Sequence, residues 1–273
     1  MKKKQAGQWS PYGDQIFSYR SDVEEELPAP GDRAAWLARG GVYADEDEGT
    51  PGDPANTGQP SPTRKLCPST VIMVEQQAQD QMYARHVRWA EMNAIGEIED
   101  DPNWGEAVQR LVRCVTDHGT VILTGMGKIG YVCQRVASTM SSVGIPAIFL
   151  HPGEAVHGDL GFVRAEDIVL ACSNSGKTEE VLTVVQRITD KQIIVCVGDT
   201  ESPLAQLGLM LTFGKHREPD PLNVAPSASI AAMSAVLDAL TFCVQGHLNF
   251  TMEDYAHNHH AGYLGRKARG EEK

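Results

Sequence analysis

Beyond residue 70 the chain changes hydrophobic rhythm, and the change marks out its elements. Residues 71–98 and 104–117 space their apolar side chains as helices do, with Leu111, Val112 and Val115 on one side. Then come short, continuous apolar runs rich in β-branched residues, at 120–124, 147–150, 168–171 and 192–197. Runs of that kind mark strands covered on both faces, as in a parallel sheet. Helical patterns at 131–143 and 178–189 separate them, so strand and helix alternate. The expected fold is therefore α/β, a three-layer doubly wound sandwich around a five-stranded parallel sheet, with residues 209–212 as a fifth, edge strand. Residues 226–246 read as a long apolar helix containing Asp238, followed by a polar, histidine-rich tail. No internal repeat is evident.

Residues 1–68 have another texture, with Glu24-Glu25-Glu26, Asp45-Glu46-Asp47-Glu48 and prolines at 51, 54, 60 and 62. Such a stretch buries too little apolar surface to offset the entropy of ordering it, so an acidic, Pro/Gly-rich arm, largely disordered or extended, is expected before a domain at 69–273. Trp9, Tyr12, Phe17, Tyr19, Trp36 and Leu37 are the arm's candidate anchors on the folded body or a neighbouring subunit.

The 273 residues carry a net charge of −12. A chain that acidic argues against nucleic-acid or anionic-membrane partners, because phosphate backbones demand clustered Lys and Arg. The basic start Lys2-Lys3-Lys4 is not followed by an apolar core, so no secretory signal is expected, and no uncharged stretch reads as long enough to span a bilayer. The six cysteines form no C-x-x-C pair and sit mostly in apolar segments. Buried, reduced thiols in a cytoplasmic protein follow.

In an open parallel sheet, ligands bind beyond the carboxyl ends of the strands. The polar motifs fall there. The third strand breaks into Ser173-Asn174-Ser175-Gly176-Lys177-Thr178 and then a helix, bringing hydroxyls and backbone N–H groups to a helix N-terminus that favours a dianion. A phosphate-bearing ligand is expected. The first strand ends in Gly125-Met126-Gly127-Lys128-Ile129-Gly130, where glycines admit close backbone approach and Lys128 adds a cation. That spacing also suits a dinucleotide fold, but the second strand ends in His151-Pro152 rather than an acidic residue, and the serine-rich loop would stand unexplained. Histidine moves protons near neutral pH, and His157 lies in a Gly-rich turn after the second strand. His257, His259 and His260 cluster in the tail, an arrangement that also permits a metal, although no cysteine or well-spaced carboxylate accompanies them. Glu180 opens the helix after the serine loop, where an acidic residue also serves the helix dipole.

Together these motifs resemble the sugar isomerase (SIS) domain and, more narrowly, the arabinose-5-phosphate isomerases. The likeness runs through Gly125-Met126-Gly127-Lys128, His151-Pro152-Gly153-Glu154-Ala155, His157-Gly158-Asp159-Leu160-Gly161, Ser173-Asn174-Ser175-Gly176, Ala225-Pro226-Ser227 and Asn258-His259-His260-Ala261-Gly262. It implies the SIS fold, which is flavodoxin-like, and interconversion of ribulose 5-phosphate and arabinose 5-phosphate for the eight-carbon acid sugar of lipopolysaccharide or capsule. It implies catalytic roles for Lys128, His157, Glu180 and His259, with Gly127, Ser173, Ser175, Gly176, Thr178 and Ser227 around the phosphate. By the same likeness no metal or organic cofactor is required, the chain is a short form lacking the CBS pair, and the assembly is a homotetramer with sites shared between subunits. Shifting a carbonyl from C2 to C1 needs a base to take a proton from carbon and a shuttle between the oxygens, tasks suited to His259, or else His157, and to a carboxylate. Ile129, Lys177 and His260 depart from the pattern, standing where serine, an acidic residue and proline are usual. An isomerase of another ketose phosphate and a non-catalytic sugar-phosphate sensor are the rival readings.

Overall fold

The computed structural model describes residues 68–188 and 192–271. The acidic arm expected at 1–68 lies outside them but for its last residue, Pro68, which opens the first helix, and Pro68–Lys273 forms one compact unit. Its elements are α1 (Pro68–Gly96), α2 (Trp104–Thr116), β1 (Val121–Thr124), α3 (Gly127–Ser142), β2 (Ala147–Phe149), α4 (Pro152–Ala155), β3 (Ile168–Ser173), α5 (Glu179–Val185), β4 (Ile193–Val197), β5 (Leu209–Thr212), α6 (Ala228–His247), α7 (Met252–Asn258) and α8 (Gly262–Ala268), with 3-10 turns at Asp159–Phe162 and Leu204–Gln206.

All five strands pair in parallel, in the order β2-β1-β3-β4-β5. The three-layer sandwich follows from side-chain alternation along them. Val121 and Leu123 of β1, Leu170 and Cys172 of β3, and Ile194 and Cys196 of β4 face one core, under α1, α2, α3 and α6. Ile122, Val169, Ala171, Ile193, Val195 and Val197 face the other, under α5 and the turn at Leu204. The outer backbone of β5 is occupied by the α1–α2 connection: Asn103 Nδ2 donates to the Met210 carbonyl at 2.8 Å, and the Thr212 N–H donates to Asp101 at 3.1 Å. A sheet edge closed this way offers no template for further pairing.

Some elements depart from the periodicity. α3 begins at Gly127, four residues before its apolar pattern; the first two residues of its opening turn, Gly127 and Lys128, are exposed, while Ile129 packs against the core and Gly130 is buried. The tail folds into two short helices. α7 opens with a reciprocal cap in which the Thr251 hydroxyl accepts the Asp254 N–H at 3.2 Å and the Asp254 carboxylate accepts the Thr251 N–H at 2.8 Å. No α7 residue is buried, so hydrophobic spacing carries no trace of it. By length and composition α6 is apolar enough to cross a membrane, although Asp238 interrupts it. Half of that stretch is buried against the rest of the protein, chiefly α1, α2 and α3, and Asp238 pairs with Arg135 of α3 at 2.9 Å. Cys114, Cys133, Cys172 and Cys196 are buried free thiols and Cys243 is half-buried; Cys67 lies outside the described residues.

Candidate functional site

The strand order reverses between β1 and β3, and the loops leaving those two strands diverge around a cavity of about 200 Å³. Met126 and Ile129 line it from the β1 side, and Cys172, Ser173, Asn174, Ser175 and Thr178 from the β3 side. This is where an open α/β sheet binds ligands.

The β3 loop is shaped by its own hydroxyls. Ser173, the last residue of the strand, is 3% exposed; its Oγ accepts the Gly176 N–H at 3.0 Å and lies 3.0 Å from Thr178 Oγ1. Ser175 Oγ accepts the Lys177 N–H at 3.2 Å. The turn closes at Gly176, whose φ of +61° favours glycine and where a Cβ would lie 1.9 Å from Ser202 Oγ. The loop after β4 supports it from behind, through the Asp199 N–H on the Asn174 carbonyl and the Leu204 N–H on the Gly176 carbonyl, both at 3.1 Å. Asp199 is itself held by Lys215 at 2.9 Å, and that ammonium keeps its carboxyl below the usual range.

Four residues expected to do chemistry stand outside this lining. Lys128 is exposed in the first turn of α3, with no ion-pair partner among the described residues. Glu180 is exposed in the first turn of α5, two positions past Thr178. His157 is exposed after α4, on the connection leaving the edge strand β2. His259 ends α7; its ring Nδ1 lies 3.0 Å from the Tyr255 carbonyl, and its plane stacks on the Tyr255 ring. Of the phosphate-binding candidates, Ser173, Ser175 and Thr178 share the cavity and Gly176 shapes it, while Gly127 (φ +58°) starts α3 across from them. Ser227 is set elsewhere: its hydroxyl bonds Glu91 of α1 and its N–H donates to Glu218 at 2.7 Å. The tail histidines His257 and His260 border a separate opening with Glu253 and Arg269. Among the described residues no three His, Cys, Asp or Glu side chains are placed to hold a metal.

Sequence reasoning passed over Asn174 and Cys172 as lining residues, Ser202 behind the loop, and the buried carboxylate of Glu218. Glu218 caps α6, accepting the N–H groups of Ala228 and Ser229 at 2.9 and 3.4 Å and the Ser229 hydroxyl. An acidic residue in the proline-rich segment ahead of a long apolar helix was the available signal. At Cys172 the contact with Cys133 pulls the thiol down, but the contact with Cys196 and burial push it well up overall.

Comparison with known proteins agrees with this layout. Residues 115–242 match the SIS domain family. A solved structure of a Bacteroides fragilis protein, assigned provisionally as a phosphosugar isomerase involved in capsule formation, is 32% identical with a TM-score of 0.61, covering 71% of this chain and 99% of that one. An E. coli CFT073 protein solved in complex with arabinose 5-phosphate is 30% identical with a TM-score of 0.60, covering 71% of this chain and all of that one. The arabinose 5-phosphate isomerase KdsD of Yersinia pestis is 36% identical over 193 residues, 68% of this chain; the match spans only 58% of that protein's length.

Proposed function

Because this chain belongs to the SIS domain family, we propose that it is an aldose–ketose isomerase interconverting D-ribulose 5-phosphate and D-arabinose 5-phosphate. One observation carries the proposal: a hydroxyl-lined cavity at the strand-order reversal, in a chain that covers the whole of a relative solved with arabinose 5-phosphate. The phosphate is held by the hydroxyls of Ser173, Ser175 and Thr178 and the amides of the turn at Gly176, with Gly127 giving close approach on the facing loop. His259 takes a proton from C1 of the ketose while the C2 oxygen gains one, producing a cis-enediol. Return of the proton to C2, with loss of one from the C1 oxygen, completes the aldose. Glu180 and His157 move protons between the oxygens, and Lys128 offsets the negative charge that develops on them. No metal or organic cofactor takes part in this scheme, and the product feeds synthesis of the eight-carbon acid sugar of lipopolysaccharide or capsule in the cytoplasm.

The assembly is a homotetramer with shared sites. In support, none of the four chemical residues lines the cavity of its own chain, and Met82, Tyr83, Trp89, Met92 and Ile95 of α1 are exposed apolar side chains. Light scattering of purified protein tests the assembly. For the reaction, purified protein treated with chelator is given ribulose 5-phosphate and assayed for the aldose. Turnover is expected, with His259→Ala abolishing it while sugar-phosphate binding persists; chelated protein that forms no aldose overturns the reading. Ile129, which puts an apolar side chain in the cavity where a hydroxyl would bind phosphate, favours the sensor as second reading. Thermal stabilisation by the sugar phosphate without turnover would select it.

A further inference from the structure

The tail fixes one imidazole more tightly than a surface helix end requires. α7 has seven residues, begins with the Thr251–Asp254 cap, and ends on His259. The Tyr255 carbonyl faces both the His259 N–H and the His259 ring Nδ1, each at 3.0 Å. The two rings stack with centroids 4.0 Å apart and planes 17° from parallel. A Cβ on Gly265 of α8 would lie 1.6 Å from the His259 carbonyl oxygen, so α8 packs close against the backbone that bears the imidazole.

A carbonyl oxygen only accepts, so the hydrogen of this bond sits on Nδ1 and the neutral ring keeps its lone pair on Nε2. We propose that Tyr255 is the positioning residue for His259: its carbonyl selects the Nδ1–H tautomer and its ring braces the imidazole plane, leaving Nε2 as the proton-accepting atom. This rests on His259 acting as the base. The carbonyl belongs to the main chain and survives any substitution, so the side chain's share is the brace. Without it the ring turns about χ2 and both tautomers are populated, only one of which presents Nε2 as a base.

Histidine-labelled protein is examined by long-range proton–nitrogen correlation, with His259→Asn identifying the signals. The expected wild-type pattern is a protonated Nδ1 and an unprotonated Nε2. Tyr255→Phe, which keeps the flat ring, retains both this pattern and turnover to within about twofold. Tyr255→Leu keeps the helix and apolar bulk, mixes the tautomers, and lowers kcat by roughly threefold to tenfold, as expected for one aromatic contact, with KM little changed. A wild-type His259 protonated on Nε2 overturns the proposal, even if the leucine variant fails to fold. So does a leucine variant that keeps tautomer and kcat. Because the tautomer is read without substrate, a wild type that shows the Nδ1–H pattern but no turnover overturns the isomerase reading alone.

Discussion

Replacing Gly176 with alanine tests whether the β3 loop, proposed to hold the phosphate, is as constrained as its geometry implies. Two costs add. A φ of +61° places an L-residue in the left-handed region, at roughly 1–2 kcal/mol. The new methyl would also lie 1.9 Å from Ser202 Oγ and 2.4 Å from Ser202 Cβ, far inside the contact distance of about 3.5 Å. Rotating the hydroxyl relieves the first clash but not the second, and Ser202 is fully buried, so the backbone must move, at about 1–3 kcal/mol. The total expected loss is about 2–5 kcal/mol. Gly127→Ala is the matched control: its φ is +58°, but no atom lies within 4 Å of the added carbon, so only the first cost applies. Adding Ser202→Gly to Gly176→Ala should recover most of the second cost, whereas Ser202→Ala, which keeps Cβ, should not. Urea unfolding gives the stabilities, and the thermal shift produced by ribulose 5-phosphate reports the loop. If the two glycine variants lose equal stability and Gly176→Ala keeps its ligand shift, the constraint is not there.

Three further outcomes are expected. Glu218→Gln replaces an acceptor-only group with one that turns an NH2 toward the donors of α6, and the melting curve should show a loss of about 2–3 kcal/mol; a variant as stable as wild type would contradict the cap. The Thr251 hydroxyl and amide hold the Asp254 carboxyl below its ordinary 3.8, so the cap's contribution to α7 is complete above that pH and is lost as the pH falls through the lower folded value. NMR titration of Asp254 should find a midpoint under 3.8 that Thr251→Val raises, and a midpoint at or above 3.8 would remove the argument. Burial pushes the Cys114 thiol up to about 11, and contact with Cys172 together with burial raises Cys133 well above its ordinary value. Iodoacetamide at about pH 8 should therefore leave both unmodified by mass spectrometry until the protein unfolds.

The sheet was legible because a strand buried on both faces needs an apolar residue at every position, which Ile193–Val197 supplies without interruption. The serine loop was legible for the opposite reason, as polar residues at a strand end where a core would not place them. What escaped reading had no apolar face to write into the pattern. α3 opens on two exposed residues, Gly127 and Lys128, and no residue of α7 is buried, although the Thr251-x-x-Asp254 cap was present in the sequence as a start signal. Ser227 escaped differently. Its place after Pro226 resembles a phosphate position, yet its hydroxyl bonds Glu91, a residue 136 positions away, and only the packing of α1 on α6 decides that.

The loop's internal hydrogen bonds also bear on selectivity. Within the protein the Gly176 and Lys177 amides are occupied by Ser173 and Ser175 hydroxyls, so a ligand must exchange for bonds already made. An uncharged hydroxyl offers no gain in that exchange. A phosphate does, because charge-assisted hydrogen bonds are about twice as strong as neutral ones. Contacts with Ser202, Leu204 and Asp199 oppose widening of the loop, so under the proposed function capture of the charged end would fall to the body of the domain. The groups proposed for chemistry sit instead on exposed turns and the small tail unit, where they can change without disturbing the sheet. Under the proposed function phosphate binding and turnover should therefore be separable: substitutions in α7 would alter the fate of the sugar while leaving its capture intact.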